Sequence, residues 1–489
     1  MRWPKTALTA LGTALIALIA VLAFNTARLP GVPGARPAVP RLPLDEKALA
    51  ERLAAAIRIP TVSFEDKSQI DLATFERMAA LLQTNYPNAH RVMTREVING
   101  HSLLFTWPGK DPAAGPALFL AHMDVVPVEP GTESLWLQPA FSGAVSNGYV
   151  WGRGTLDDKV SVIGLMEAAE SLAASGWQPA RTVLFAFGHD EEISGLDGAA
   201  KIAETLKARG VKASVLLDEG GAITIGLMPG VKRPVAAIMA AEKGYASFKL
   251  TAKAIGGHSS TPPPDTAASS LARAIVRLQD HPMPARIAPP VDVMLERAAP
   301  AMSLRNRVVI ANRWLFEPLL LQLLRGEPVT NALIRTTTAP TILRAGVKDN
   351  VLPAEATAVI NFRLLPGDSV ADVERHIRSV IGDDAITITQ EAGFGNPASP
   401  VSDASAPAFR HLGNAVLDVF PDALVSTGLV VGATDARHYA GLYDNRYNFL
   451  PVPLVAADLN RIHGANERIA IGDFANAVRW YRRVLETLE

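Results

Sequence analysis

Apolar residues change their spacing several times along this chain, and the changes mark out its elements. An uncharged run over residues 7–25, rich in Ala, Leu and Ile, follows Arg2 and Lys5 and is closed by Arg28. Its length is near the roughly 17–25 residues that cross a bilayer and exceeds the ~7–15 of a signal-peptide core. An uncleaved membrane anchor over 1–28 is therefore the favoured expectation. Its rival is a cleaved export signal ending at a poor site, Asn25-Thr26-Ala27. Both place the bulk of the protein outside the cytoplasm when the basic end stays inside. Residues 29–44, rich in proline, read as an extended tether.

Leu49, Leu53, Ala56 and Ile57 recur at three and four residues and predict a helix over 45–57, with a second over 71–86. Strands are expected at 91–98 and 102–107. Four further apolar runs of strand character follow at 118–120, 149–151, 183–187 and 215–217. Helices predicted over 161–175 and 198–209 separate them. Alternating strand and helix imply an α/β domain with a mostly parallel sheet flanked by helices.

The pattern changes after Glu242-Lys243-Gly244. Strand character at 245–255, helix at 266–279, strands at 341–345 and 357–365, helix at 370–381 and strand at 385–390 follow in turn. That order predicts a smaller α+β, ferredoxin-like unit inserted over 246–392 as a lid or dimerisation domain. Residues 283–335, which include Met294, Leu295 and a leucine-rich stretch at 315–324, do not fit it and read as a helical excursion. Helices at 407–419 and 473–486 return the chain to the larger domain, expected as 45–245 plus 393–489.

A length of 489 residues agrees with two domains. The 47 basic and 48 acidic groups nearly cancel, which removes the strongly basic footprint of a nucleic-acid binder. The absence of cysteine excludes disulfides, thiol catalysis and Cys-zinc sites, and leaves the compartment open.

The chemistry gathers where the four apolar runs end: His122 and Asp124, then Asp157 and Asp158, then His189 to Glu192, then Asp218 and Glu219. Open α/β sheets carry their sites at strand ends, and this set holds only nitrogen and oxygen donors suited to a metal. His122 and Asp124 share a face, so the carboxylate can hold one imidazole nitrogen while the other binds metal. The adjacent carboxylates of Asp157-Asp158 repel in a partly buried site unless a cation compensates. Glu191 and Glu192 cannot point the same way, which suggests that one binds metal and the other handles a proton. Taken singly, each group also has a plain structural reading: a capped turn, a solvated charge pair, a turn histidine at His258, or a salt bridge between Asp435 and Arg437.

Six ordered motifs decide between those readings. His122-Met-Asp124-Val-Val-Pro, Gly152-Arg-Gly-Thr-Leu-Asp157-Asp-Lys, His189-Asp-Glu191-Glu192, Asp218-Glu-Gly-Gly, Gly256-Gly-His258-Ser-Ser and Arg461-Ile-His463-Gly-Ala-Asn-Glu together resemble the dinuclear zinc peptidases of the aminoacylase, carboxypeptidase G and carboxypeptidase S family. The Asp-Glu-Gly-Gly form and the excursion most resemble the branch of carboxypeptidase S and the N-fatty-acyl-amino-acid synthase/hydrolase. The resemblance implies two divalent metal ions, Zn2+ first and Co2+ or Mn2+ as substitutes. It implies Asp157 as their bridge, His122 and Asp218 on one ion, with Glu219 open in place of Asp218, and Glu192 and His463 on the other. Glu191 becomes the general base, Asp124 the residue orienting His122, and His258 an oxyanion donor, often across a homodimer. Asn350, Arg363, Asp435 and Arg437 are expected near the substrate, a small peptide or N-acyl amino acid. The expected reaction is hydrolysis of an amide beside a free carboxylate. A catalytically inactive receptor on the same fold would lack a ligand or base, and none is missing; a two-metal phosphoesterase lacks the inserted-domain motifs.

Overall fold

The computed structural model describes residues 5–31 and 39–488, so Arg2 and the middle of the tether lie outside the described residues. The larger sheet has ten strands among the described residues. At its centre Val183–Gly188, Ala117–His122, Ala213–Asp218 and Tyr443–Asn448 run parallel. Ser102–Trp107 and Thr94–Ile98 extend one side antiparallel, while Val235–Glu242 with Leu424–Val430 builds the other.

Alternate residues of the central strands feed opposite cores. Phe105, Phe119, Phe185 and Leu217 pack beneath helices Glu46–Ile57, Lys159–Ala174 and Ile471–Glu486. Leu104, Leu118, Leu184 and Leu216 pack beneath Ala199–Ala208. Because both faces are covered, the strands show as continuous apolar runs. The protein is thus α/β, with a mixed sheet whose parallel strands are flanked by helices.

Two local expectations fail. Tyr149–Trp151 is a strand, but it joins a separate sheet with Ala144–Ser146 and Arg468–Ala470. Periodicity alone cannot assign a three-residue strand to a sheet. Arg91 and Val92 end a short helix, Pro87–Val92, whose first residue is a proline already set for helical φ. The strand begins only at Thr94.

A second sheet of Thr337–Ala345, Glu355–Leu364, Gly244–Lys253 and Ile386–Asn396 is antiparallel throughout. Helices Ala267–Asp280 and Val370–Ile381 cover one face, and Phe248, Phe362, Leu271 and Ile377 form its own core. The excursion folds as helices Pro289–Ala298, Leu304–Ala311, Arg313–Leu324 and Pro328–Ile334. Although it leaves from the second sheet, it packs on the larger one, where Val291, Leu295 and Leu320 meet Ala241 and Leu429.

The amino-terminal helix Lys5–Ala27 ends against this excursion. Asn312, fully buried, donates its amide to Leu22 O at 3.2 Å and Thr26 Oγ1 at 3.4 Å and accepts from Asn25 Nδ2 at 2.9 Å. Only 6% of the helix's apolar stretch Thr9–Ala27 is buried against the rest of the protein.

Candidate metal centre

Parallel register places His122 opposite Gly188, so the segment after Gly188 and the end of Ala213–Asp218 meet at one edge of the sheet. The loop that delivers Asp157 must pass close beneath that edge. Gly152 and Gly154 allow it: both have positive φ, 141° and 92°, and added Cβ atoms would lie 2.4 Å from Ile57 Cγ2 and 2.8 Å from Val125 Cγ1. No larger residue fits there without moving the loop.

A single buried carboxylate shapes this loop. Glu467 Oε1 accepts from the backbone N–H of Gly154 at 3.0 Å, Leu156 at 2.8 Å and Asp157 at 3.3 Å. Its Oε2 accepts from Arg153 Nη1 at 2.7 Å, and Arg153 Nη2 donates to His463 O at 3.0 Å. His463 sits at φ 60°, in the left-handed region, with its imidazole turned toward Asp157.

Asp157 lies between two histidines. Its Oδ1 is 3.0 Å from His122 Nε2 and its Oδ2 is 3.0 Å from His463 Nε2. Glu192 Oε2 is 3.2 Å from His463 Nε2, and Glu219 Oε1 is 3.9 Å from His122 Nε2. Two triads result, His122–Asp157–Glu219 and Asp157–Glu192–His463, each with donor atoms within 4.8 Å of one another. They share one carboxylate, which offers a different oxygen to each.

The electrostatics are those of a site crowded with acids. Burial opposes a charge on Asp157, yet contacts with His122 and His463 hold its pKa far below the usual range. Glu219 is pushed well up by burial and by the Asp157 and Asp158 carboxylates, and Glu192 is raised by burial and Asp157. His463 is drawn up to about 10 by Asp157 and Glu192. Glu192 Oε1 and Asp158 Oδ2 are buried without a hydrogen-bond partner. Acids raised by one another's charge, with unfilled oxygens and two imidazoles among them, fit divalent cations.

Asp218, the residue expected on the first ion, is hydrogen-bonded within the protein. Asp218 Oδ2 accepts from Thr434 Oγ1 at 2.7 Å and the Ala436 N–H at 2.8 Å, and its Oδ1 accepts from the Glu219 N–H at 2.9 Å. Glu219, the alternative at this position, lies 3.9 Å from His122 Nε2 and belongs to the first triad.

Asp124 is fully buried beyond its strand end. His122 Nδ1 lies 3.0 Å from the Asp124 carbonyl and 3.4 Å from its carboxylate, so the carbonyl is the nearer partner. The carboxylate also accepts from Ser63 Oγ at 2.7 Å and from the N–H groups of Glu191 and Glu192, both at 3.1 Å. It therefore ties His122 to the turn Glu191–Ile193. Glu192 points into the second triad; the Glu191 pKa is raised well above the usual range by burial and by Asp435, Glu192 and Asp157.

The remaining residues lie apart. His258, exposed on a two-stranded ribbon with Val351–Leu352, pairs through Nδ1 with Ser260 Oγ at 2.8 Å. Exposed Asn350 adjoins it, accepting through its backbone carbonyl from Ser259 N–H. Among the described residues, neither has a hydrogen bond or ion pair to the triads. Arg363 stacks 4.5 Å over the Tyr245 ring. Its pKa is lowered by burial and by Arg437, with Tyr245 acting in the opposite sense. Lys243, beside it, is lowered to about 7 by burial and by Arg363. Arg437 donates to Ser194 O at 2.8 Å. Asp435 forms no ion pair with it among the described residues; its buried carboxylate lies against Gly188 and Gly195, and Oδ1 lacks a partner.

Glu467, Lys243 and Thr434 are the site residues that sequence reasoning missed. Glu467 alone had a visible signal, as the last residue of the His463 motif.

A strand-edge site of paired acids and imidazoles fits the chemistry of a metal-dependent hydrolase. Comparison with known proteins agrees. The profile of peptidase family M20/M25/M40 matches residues 118–487. The chain is 37% identical over 450 residues to a probable carboxypeptidase S-like 2 of Dictyostelium discoideum, covering 91% of this chain and 86% of the relative. It is 40% identical over 446 residues to the N-fatty-acyl-amino acid synthase/hydrolase PM20D1 of Xenopus tropicalis, covering 90% and 86%. The M20 family metallo-carboxypeptidase Sso-CP2 from Sulfolobus solfataricus shares the fold, with a TM-score of 0.63 at 18% identity over 91% of this chain and 99% of that one. The chain belongs to peptidase family M20/M25/M40 and is a metallopeptidase or amidohydrolase.

Proposed function

We propose that the protein hydrolyses the amide bond beside a free carboxylate, releasing an amino acid from an N-acyl amino acid or small peptide. The observation that carries this reading is Asp157, one oxygen toward each histidine. In it, His122, Asp157 and Asp218 hold one divalent cation, with Glu219 as the alternative to Asp218, and Asp157, Glu192 and His463 hold the other. The donors suit Zn2+, with Co2+ or Mn2+ as substitutes. When bound, the pair supplies polarisation of the scissile carbonyl and acidifies the attacking water.

Glu191, near the triads and with no hydrogen bond to its carboxylate among the described residues, takes the proton from that water and returns it to the departing amine. Asp124 keeps His122 in place and fixes the backbone of Glu191. Arg363, with Lys243 and Arg437 close by and no ion pair of its own among the described residues, receives the substrate carboxylate, assisted by Asn350. Asp435 lies beneath the site and acts on Glu191 by its charge. His258 steadies the developing oxyanion once the ribbon or a partner copy brings it there, so a homodimer is part of this reading. The names of the two relatives support the substrate class. Lys5–Ala27 serves as an uncleaved anchor with the catalytic part outside the cytoplasm.

Metal analysis with an amino-acid-release screen tests the proposal. Two ions per chain, loss of release with a chelator, and loss in Glu191→Gln with the ions retained are expected. Undiminished release by Glu191→Gln refutes it. Long-chain acyl-phenylalanine is expected to outrun a polar dipeptide.

A further inference from the structure

The excursion contains an apolar surface that neither core uses. On helix Arg313–Leu324, Leu320, Leu321 and Leu324 pack inward, whereas Leu315, Leu319 and Leu323 are 41%, 45% and 63% exposed. Their four-residue spacing makes one outer stripe. Trp314 stands beside it at 63% exposure, and Leu304 and Val329 on the adjoining helices are as open, at 67% and 66%. Exposed cations flank the stripe at Arg305 and Arg325. Apolar patches of this kind on a soluble face call for an occupant.

The position of the amino-terminal helix says which. Asn312, the residue just before this helix, is the one that grips Leu22, Asn25 and Thr26. Leu29 then packs into the core beneath the excursion. The stripe therefore begins where an apolar helix long enough to cross a bilayer, and barely covered by protein, joins the body. Arg28, at the end of that helix, is exposed there as well.

We propose that the outer stripe of Arg313–Leu324 lies in the interfacial layer of the same phospholipid bilayer that holds Lys5–Ala27, so that Asn312 fixes the body against the membrane. Leucines toward the acyl chains, a tryptophan and arginines at headgroup level are the composition such a seat requires. The excursion also reaches the substrate region, since Lys243 Nζ donates to Ala332 O at 2.9 Å and Arg335 O at 2.8 Å. An amphiphile with its tail in the bilayer would thus meet Arg363 without leaving the surface. The inference rests on the reading of the first helix as an uncleaved anchor.

Because the chain has no cysteine, Leu319→Cys gives a single labelling site. The full-length variant, labelled with an environment-sensitive fluorophore, is placed in vesicles of phosphatidylcholine and phosphatidylglycerol. Its emission is expected to shift to the blue and to fall about twofold with acyl-chain-brominated lipid. The same label on Val97→Cys, at the opposite edge of the larger sheet, should answer only to aqueous iodide. Asn312→Ala should weaken the lipid quenching at Leu319 and leave amino-acid release from a soluble substrate unchanged. Free access of iodide to Leu319, or crosslinking of Leu319→Cys between copies without lipid quenching, overturns the inference while the anchor stands. An intact mass lacking the first helix in the native membrane fraction overturns both.

Discussion

The crater around Asp157 and the ribbon bearing His258 are built on opposite principles. In the crater the acids that frame the site are buried and tied down: Glu467 holds four donors, Asp124 links a histidine to a turn, and Asp218 is held by Thr434 and Ala436. On the ribbon, His258 and Asn350 are exposed, and the His258 imidazole bonds, among the described residues, within its own turn. Groups that must hold a fixed arrangement of charge are caged at the cost of mutual repulsion. Under the proposed function, the groups that would meet the substrate are the ones left exposed.

Substitutions test that contrast in descending order of effect. Asp157→Asn should lower kcat by on the order of 10³-fold or more and cut metal content, because both triads depend on that carboxylate. Glu467→Gln leaves Arg153, 2% exposed, as a buried cation without its counter-charge. A loss of about 3–5 kcal/mol in urea unfolding is expected, with metal lost alongside. His258→Ala should reduce kcat about 10²-fold, the scale of a lost oxyanion donor, with unfolding and metal content unchanged. A large drop in stability there would break the contrast. The smallest effect concerns pH. His463 is raised from its usual ~6.5 to about 10 in the metal-free chain by Asp157 and Glu192. That pairing stabilises the fold fully below pH ~6.5 and is lost as pH rises through about 10. The metal-free protein should therefore melt at progressively lower temperature across that window, as calorimetry would read directly.

Much of the crater was legible because its residues follow apolar strands, whose buried faces force a recognisable pattern. Strand Ala117–His122 and the helices Val370–Ile381 and Pro407–Val419 follow directly from their periodicity. The surroundings of Asp218 were not legible. Two adjacent carboxylates look alike in a sequence, and Thr434 and Ala436, which hold Asp218, lie more than two hundred residues downstream. The excursion was visible as an interruption, but its seat on Ala241 and Leu429 depends on tertiary packing that periodicity does not encode. Nor could Asn312 be singled out, since its partners are backbone and side-chain atoms of the amino-terminal helix.

The tie between the Gly152 loop and the His463–Glu467 segment, followed at once by helix Ile471–Glu486 in the principal core, sets an order of events during synthesis. A nascent chain from which the segment beginning at His463 has not yet emerged lacks one imidazole, the carboxylate that shapes the Asp157 loop and a wall of its interior. The incomplete polypeptide therefore stays inert until that segment has left the ribosome.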